Sequence, residues 1–202
     1  MYGIMNTGKT AKLLMKAYNF KSQQKKVILI KPEIDTRNGI QNITSRIGLS
    51  STADIILHKD NTPIIPPGKH FSILSDQFLS ITQADLVLVD EAQFLSFKNV
   101  EMLRNLASDY KIPIICYGLL TDYRTKLFPG SQRLIELADN SVNITNCSLG
   151  NCYLCKNNKA IVNTKFRLIG KQLKLIKKGS HLPDIGAEEK YKVVCWKCWK
   201  NN

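Results

Sequence analysis

Long apolar runs are absent from this chain. Its most strand-like cores extend for only five or six residues, against the roughly 18 that a membrane span needs. That excludes a helical transmembrane protein. No secretory leader is recognisable either, because Lys9, Lys12 and Lys16 interrupt the N-terminal stretch. The expectation is a cytoplasmic protein in a reducing compartment, without disulfides. Histidine is scarce: His58, His70 and His181 share no triad-like or metal-like spacing, so chemistry built on histidine is not indicated. Internal repeats and low-complexity linkers are also missing. Acidic residues are outnumbered, 16 against 29 basic, giving a net charge of +13. The imbalance is local, since residues 156–202 carry 12 basic and 3 acidic side chains. Arginine supplies only 6 of the basic residues against 23 lysines. Arginine is the residue suited to bidentate phosphate and base-edge contacts, so its scarcity weighs against nucleic acid as a partner. What is present is ordinary globular material: 202 residues with a 44% hydrophobic fraction, enough for one domain with a small appendage.

Residues 1–143 alternate helix-like and strand-like segments. Leu13, Leu14, Ala17, Tyr18 and Phe20 recur on one face of a helix predicted over 8–24. Val27–Ile30 and Leu86–Val89 are short, wholly apolar runs that suit buried parallel strands. Val100, Leu103 and Leu106 mark a second helix, 112–117 a third strand and 131–138 a short helix. This pattern predicts an α/β fold: a P-loop, RecA-like parallel sheet with helices on both faces. Composition shifts near Asn140 towards Asn, Lys and Cys, which predicts a second, small module over 144–202.

Gly3-Ile4-Met5-Asn6-Thr7-Gly8-Lys9-Thr10 fits the G-x-x-x-x-G-K-[ST] phosphate loop. Glycines let the backbone curl so that successive N–H groups face one phosphate. Lys9 would neutralise the outer phosphates, and the Thr10 hydroxyl would ligate Mg²⁺. Asp90-Glu91 ends the run Leu86–Val89. A carboxylate at the C-terminal end of a parallel strand lies beside the phosphate site, so Asp90 suits Mg²⁺ and Glu91 is a candidate general base.

Cys152-x-x-Cys155 and Cys195-x-x-Cys198 form two knuckles. Each pair offers two thiolates from one turn, and the two together complete a tetrahedral site for Zn²⁺. Such a closed site is structural. Cys147 could compete as a ligand, whereas Cys116 reads as a small buried hydrophobe. Trp196 and Trp199 read as packing over the second knuckle.

Phosphate loop, Asp90-Glu91-Ala92-Gln93-Phe94 and two C-x-x-C knuckles in this order resemble the zinc-containing, P-loop (type II) thymidine kinases, bacterial branch. Asp35-Thr36-Arg37, Ser45-Arg46-Ile47-Gly48-Leu49-Ser50-Ser51, Tyr117-Gly118-Leu119-Leu120-Thr121-Asp122-Tyr123, Gly130-Ser131-Gln132 and Ile185-Gly186 with Tyr191 agree with that family too. The resemblance implies ATP-dependent phosphorylation of the 5′-hydroxyl of thymidine to give dTMP. It implies Glu91 as proton acceptor, and Gly3 to Thr10, Asp35, Arg37, Asp90, Ala92 and Gln93 around ATP and Mg²⁺. Phe94, Leu119 and Tyr123 would contact the nucleoside. A lasso loop with Leu182, Pro183, Asp184, Ile185 and Gly186, ending at Tyr191, would read the base largely through main-chain groups. The family further implies a homotetramer inhibited by dTTP.

Three departures stand out. The chain starts two residues before Gly3, whereas relatives carry about six to eight more residues in the strand feeding the loop. The expectation is a sheet weakened at that strand. Lys156 and Ala187 stand where relatives have glycine. A competing reading is a nucleotide-binding module that has lost transfer activity and binds nucleic acid through its basic tail. A third is an ATPase acting on a protein partner.

Overall fold

The computed structural model describes residues 1–59, 80–144, 150–170, 172–179 and 190–202. Its largest sheet is parallel, with strands β1 (Val27–Pro32), β4 (Ile55–Leu57), β5 (Leu86–Val89) and β6 (Ile114–Cys116) in the order β4-β1-β5-β6. Every residue of β1 and β5 is buried, as expected of strands covered on both faces. The period of two then sorts their side chains. Ile28, Ile30, Val87 and Val89 face helix α2 (Phe97–Tyr110) through Val100, Met102, Leu103 and Leu106. Val27, Leu29, Leu86 and Leu88 face helix α1 (Lys9–Lys21) through Leu13, Leu14 and Ala17. Each such side chain contributes about 1.5–3 kcal/mol on full burial. The antiparallel hairpin of β2 (Asn42–Thr44) and β3 (Ser50–Thr52) rests on the α1 side through Ile43.

Local chemistry fixes the helix starts. Gly8 is left-handed at φ 71, so α1 begins at Lys9 rather than at Gly8. Ser96 and Asn99 form a reciprocal capping box at α2. Helix α3 (Pro129–Leu137) opens two residues earlier than the sequence suggested, because Pro129 suits the first helical position. Gly130 has carbonyls of Ala92, Gln93 and Leu95 2.7–2.8 Å from where a Cβ would sit. Only glycine lets α3 press this closely on the turn after β5.

The few residues before the phosphate loop do pair. Tyr2 bridges Gly118 and Asn143, both in parallel. Its N–H donates to Val142 O at 2.9 Å, and Gly118 N–H donates to Met1 O at 3.2 Å. Residues 1–3 therefore occupy a strand position between the end of β6 and the segment around Asn143.

The second region holds an antiparallel sheet of β7 (Val162–Ile169), β8 (Gln172–Ile176) and β9 (Tyr191–Val194), in the order β8-β7-β9, followed by helix α4 (Trp196–Asn201). Its buried cluster is small: Cys152, Val162, Phe166, Val194 and Cys195. Trp199 packs against it, as expected, and stacks on Trp196 at 5.0 Å; Trp196 itself is 50% exposed and lies outside the cluster, so the packing role expected of it is limited to that stack. Lys156 adopts φ 60, the left-handed region that favours glycine. Its ammonium lies over the Tyr153 ring at 4.5 Å. No helix among the described residues is long and apolar enough to cross a membrane.

Candidate functional site

The C-terminal ends of β1, β5 and β6 and the start of α1 converge on one site, the place where open α/β sheets bind ligands. Asn6 at φ 65 and Gly8 at φ 71 bend the Gly3–Thr10 loop. Thr7 Oγ1 donates to Ile4 O at 2.9 Å and so braces the bend. Lys9 Nζ donates to Ile4 O at 2.7 Å and reaches Gly3 O and Thr7 Oγ1 at 3.4 Å. Burial lowers the Lys9 pKa to about 8 although the Glu91 and Asp90 carboxylates oppose it. Arg46, from the β2–β3 hairpin, and Arg37 add like charge nearby.

Thr10 Oγ1 donates to Asp90, 3.0 Å from Oδ2 and 3.3 Å from Oδ1. Two ligands expected for one cation thus already meet. Asp90 is buried, and its pKa is pushed up to about 7, first by burial and then by the adjacent Glu91 charge; the Thr10 hydrogen bond pulls the other way. Glu91 sits at φ 48 and ψ 37, a left-handed conformation costing a β-carbon residue roughly 1–2 kcal/mol. Its carboxylate is gripped on both oxygens. Arg37 Nη2 lies 2.5 Å from Oε1, and Gln93 Nε2 donates to Oε2 at 2.5 Å. Arg37 is oriented in turn by Asp35 at 2.7 Å, and Asp35 by Lys31 at 3.2 Å. Burial pushes the Asp35 carboxyl up, but Arg37 and Lys31 outweigh it and hold the pKa below its ordinary value. Burial likewise opposes the Arg37 charge, which Glu91 and Asp35 more than restore.

Gln93 is buried and works at both ends of its amide: Oε1 accepts from Leu119 N–H at 2.9 Å. Ser131 Oγ donates to Leu119 O at 2.6 Å. Ala92 is buried and its N–H donates to Tyr117 O. Phe94 meets Phe128 edge-on at 5.7 Å, and Tyr123 meets Tyr191 at 6.5 Å. The structure thereby joins Gly3–Thr10, Asp35, Arg37 and Asp90–Gln93 in one network, ties Leu119 into it, and pairs Tyr123 with Tyr191. Leu182, Pro183, Asp184, Ile185, Gly186, Ala187 and Cys147 lie outside the described residues.

The Sγ atoms of Cys152, Cys155, Cys195 and Cys198 lie within 4.8 Å of one another, with Cys155 and Cys195 at 3.9 Å. A tetrahedral Zn²⁺ with bonds of about 2.3 Å sets its sulfurs about 3.8 Å apart, so the donor set fits that ion. Backbone N–H groups of Asn158 and Asn157 lower the Cys155 pKa to about 6, and that of Cys198 lowers Cys195. Burial and the neighbouring thiols push Cys198 up to about 12. Four thiols without a cation compete for charge, and a divalent ion removes that conflict.

Two contributors, Lys31 and Asn163, were not evident from the sequence, and for a third, Gly130, the sequence showed a motif match but not its role. Lys31 is a buried ammonium that also donates to Asn42 O at 2.8 Å. Gly130 provides the close approach described above. Asn163 of β7 accepts from Met5 N–H at 2.8 Å and donates to Thr121 O at 3.1 Å. A lysine in an apolar strand, and an asparagine far along the chain, give no local signal of this kind.

The family model described as thymidine kinase matches residues 1–199 of this chain. A thymidine kinase of Encephalitozoon cuniculi (strain GB-M1) is 35% identical over 196 residues, covering 96% of this chain and 82% of that protein. One from Enterobacteria phage T4 is 35% identical over 198 residues, with 98% and 92% covered. One from Lactiplantibacillus plantarum (strain ATCC BAA-793 / NCIMB 8826 / WCFS1) is 34% identical over 194 residues, with 96% and 90% covered.

Proposed function

Because the chain belongs to the thymidine kinase family, we propose that it transfers the γ-phosphoryl group of ATP to the 5′-hydroxyl of thymidine, giving dTMP. The observation that carries this is the Thr10–Asp90 contact, with Lys9 and the doubly held Glu91 around it. Lys9 and the N–H groups that open α1 neutralise and orient the ATP phosphates. Thr10 and Asp90 would hold Mg²⁺, whose charge screens the β- and γ-oxygens. Glu91 accepts the proton of the 5′-hydroxyl as oxygen attacks phosphorus and ADP leaves. Arg37 and Gln93 fix the direction of that carboxylate, so its strained backbone serves orientation. Leu119, Phe94, Tyr123 and Tyr191 line the nucleoside side, with the 182–186 segment as the base-reading lasso.

Zinc on the four cysteines would fix both ends of that lasso and take no part in bond-making. The family resemblance supports a cytoplasmic homotetramer inhibited by dTTP, and a division into units at 1–143 and 144–202. The test is ATP-dependent phosphorylation of thymidine beside deoxycytidine and a control without nucleoside. Thymidine-dependent product supports the reading. ATP hydrolysis that ignores nucleoside would transfer it to an ATPase. Bound ATP with no product from any acceptor would leave a binding module.

A further inference from the structure

Asn163 sits on β7, in the sheet beside the cysteine cluster, yet both hydrogen bonds of its amide reach across to the other region. Oδ1 accepts from Met5 N–H inside the phosphate loop, 2.8 Å away, and Nδ2 donates to Thr121 O at 3.1 Å. The residue is 3% exposed. Met5 and Thr121 are themselves only half-buried, so removing the amide would cost less through desolvation than through the loss of the one side chain that holds the two backbone segments at a fixed separation. Thr121 lies two residues from Tyr123, which packs on Tyr191. One planar side chain thus spans the loop expected to hold ATP and the segment expected to hold the nucleoside.

The base of Asn163 is equally determined. It stands opposite Val193 in the β7–β9 pairing, and Thr164 Oγ1 donates to Lys192 O at 2.8 Å. β9 runs directly into Cys195, and Tyr153 N–H, between the first pair of cysteines, donates to Val193 O at 2.9 Å. A continuous set of contacts leads from the cysteine cluster through β9 and β7 to this amide.

We propose that Asn163 is a positioning residue: it sets the distance between the phosphate loop and the Thr121–Tyr123 segment, and passes to both the rigidity that the cysteine cluster gives β7. The inference rests on the kinase reading above. In-line transfer is sensitive to placement, and a misplacement near 1 Å costs about 10²-fold in rate.

The test compares the full-length wild type with Asn163→Ala and with Asn163→Leu, whose similar volume preserves packing should the alanine variant fail to fold. Three quantities are measured: zinc per chain, ATP affinity by direct titration without nucleoside, and steady-state constants for both substrates. The expected result is wild-type zinc content, ATP affinity and kcat each at least about tenfold lower, and a thymidine KM changed less than threefold, because Tyr123 keeps Tyr191 and its contact with Trp199. A merely structural role would lower the active fraction and leave ATP affinity per folded molecule unchanged. ATP affinity within twofold of wild type in a zinc-replete variant overturns the proposal. Wild-type protein that binds ATP but never phosphorylates thymidine overturns the kinase reading instead, while the titration still judges Asn163.

Discussion

The two regions of this molecule obtain their rigidity in opposite ways. The parallel sheet has apolar clusters on both faces, and its site can therefore hold unfavourable features. Asp90 is buried beside another carboxylate, the Lys9 ammonium is desolvated enough to lower its pKa, and Glu91 occupies a left-handed backbone. Among the described residues the cysteine region has five in its buried cluster, and two of them, Cys152 and Cys195, belong to the metal-type set. With so small an apolar cluster among the described residues, four thiols able to hold one ion offer a cross-link in place of apolar volume. One region sets strained and desolvated groups on a broad apolar scaffold; the other sets two of its four clustered thiols inside the small apolar cluster itself.

Removing metal should break the comparison most severely. A strong chelator, or Cys195→Ser, should abolish phosphoryl transfer and unfold the cysteine region while the parallel sheet persists. Hydrogen-exchange mass spectrometry should then show β7 and β9 exchanging freely and β1 and β5 still protected. Protection retained everywhere would mean that the cysteines are not the cross-link. Next in size is Glu91→Gln, which should lower kcat at least ~10²-fold with ATP affinity within twofold. An unchanged rate would remove Glu91 as proton acceptor.

Asp90→Asn should separate function from stability within the sheet. The carboxyl keeps its proton up to about pH 7 in the folded chain but releases it near 3.8 when unfolded. The folded chain thus binds the extra proton in that interval, and stability falls as pH rises through it. Without magnesium or nucleotide, the amide variant should be more stable by roughly 4 kcal/mol at pH 8 and within about 1 kcal/mol of wild type at pH 4. It should also be inactive. Thermal melts at the two pH values check this, and equal midpoints at pH 8 would show that burial does not strain Asp90. The smallest effect is expected at Lys156, where Lys156→Gly should stabilise by about 0.5–1 kcal/mol in denaturant titration by relieving φ 60. A loss instead would show that the Lys156–Tyr153 contact outweighs the backbone strain.

Features legible in the sequence were those written within a few consecutive residues. The phosphate loop, the Asp90-Glu91 strand end and the two C-x-x-C pairs each hold their chemistry inside one turn. The apolar runs of β1 and β5 announced a parallel sheet because both faces are covered. The β2–β3 and β7–β8 hairpins gave no comparable signal, since their strands are short or half exposed. Lys31 follows the apolar run Val27–Ile30 without any signal of its own, and only the fold shows Asp35 and the carbonyls of Gly39 and Asn42 around its ammonium. The Asn163–Met5 contact joins positions 158 residues apart, which no pattern of spacing reveals. The strain at Glu91 was hidden too, because nothing in a glutamate's identity indicates a positive φ.

The glycine that lets α3 approach the turn after β5 also bears on how this chain can vary. In a saturation library scored on abundance alone, position 130 should tolerate no other letter, since any β-carbon meets three carbonyl oxygens of the backbone. Gly8 offers the contrast. Its φ of 71 favours glycine, but open space surrounds it, so asparagine should survive there. A glycine of the phosphate loop and a glycine of α3 would thus leave different signatures, one written by torsion and the other by shape.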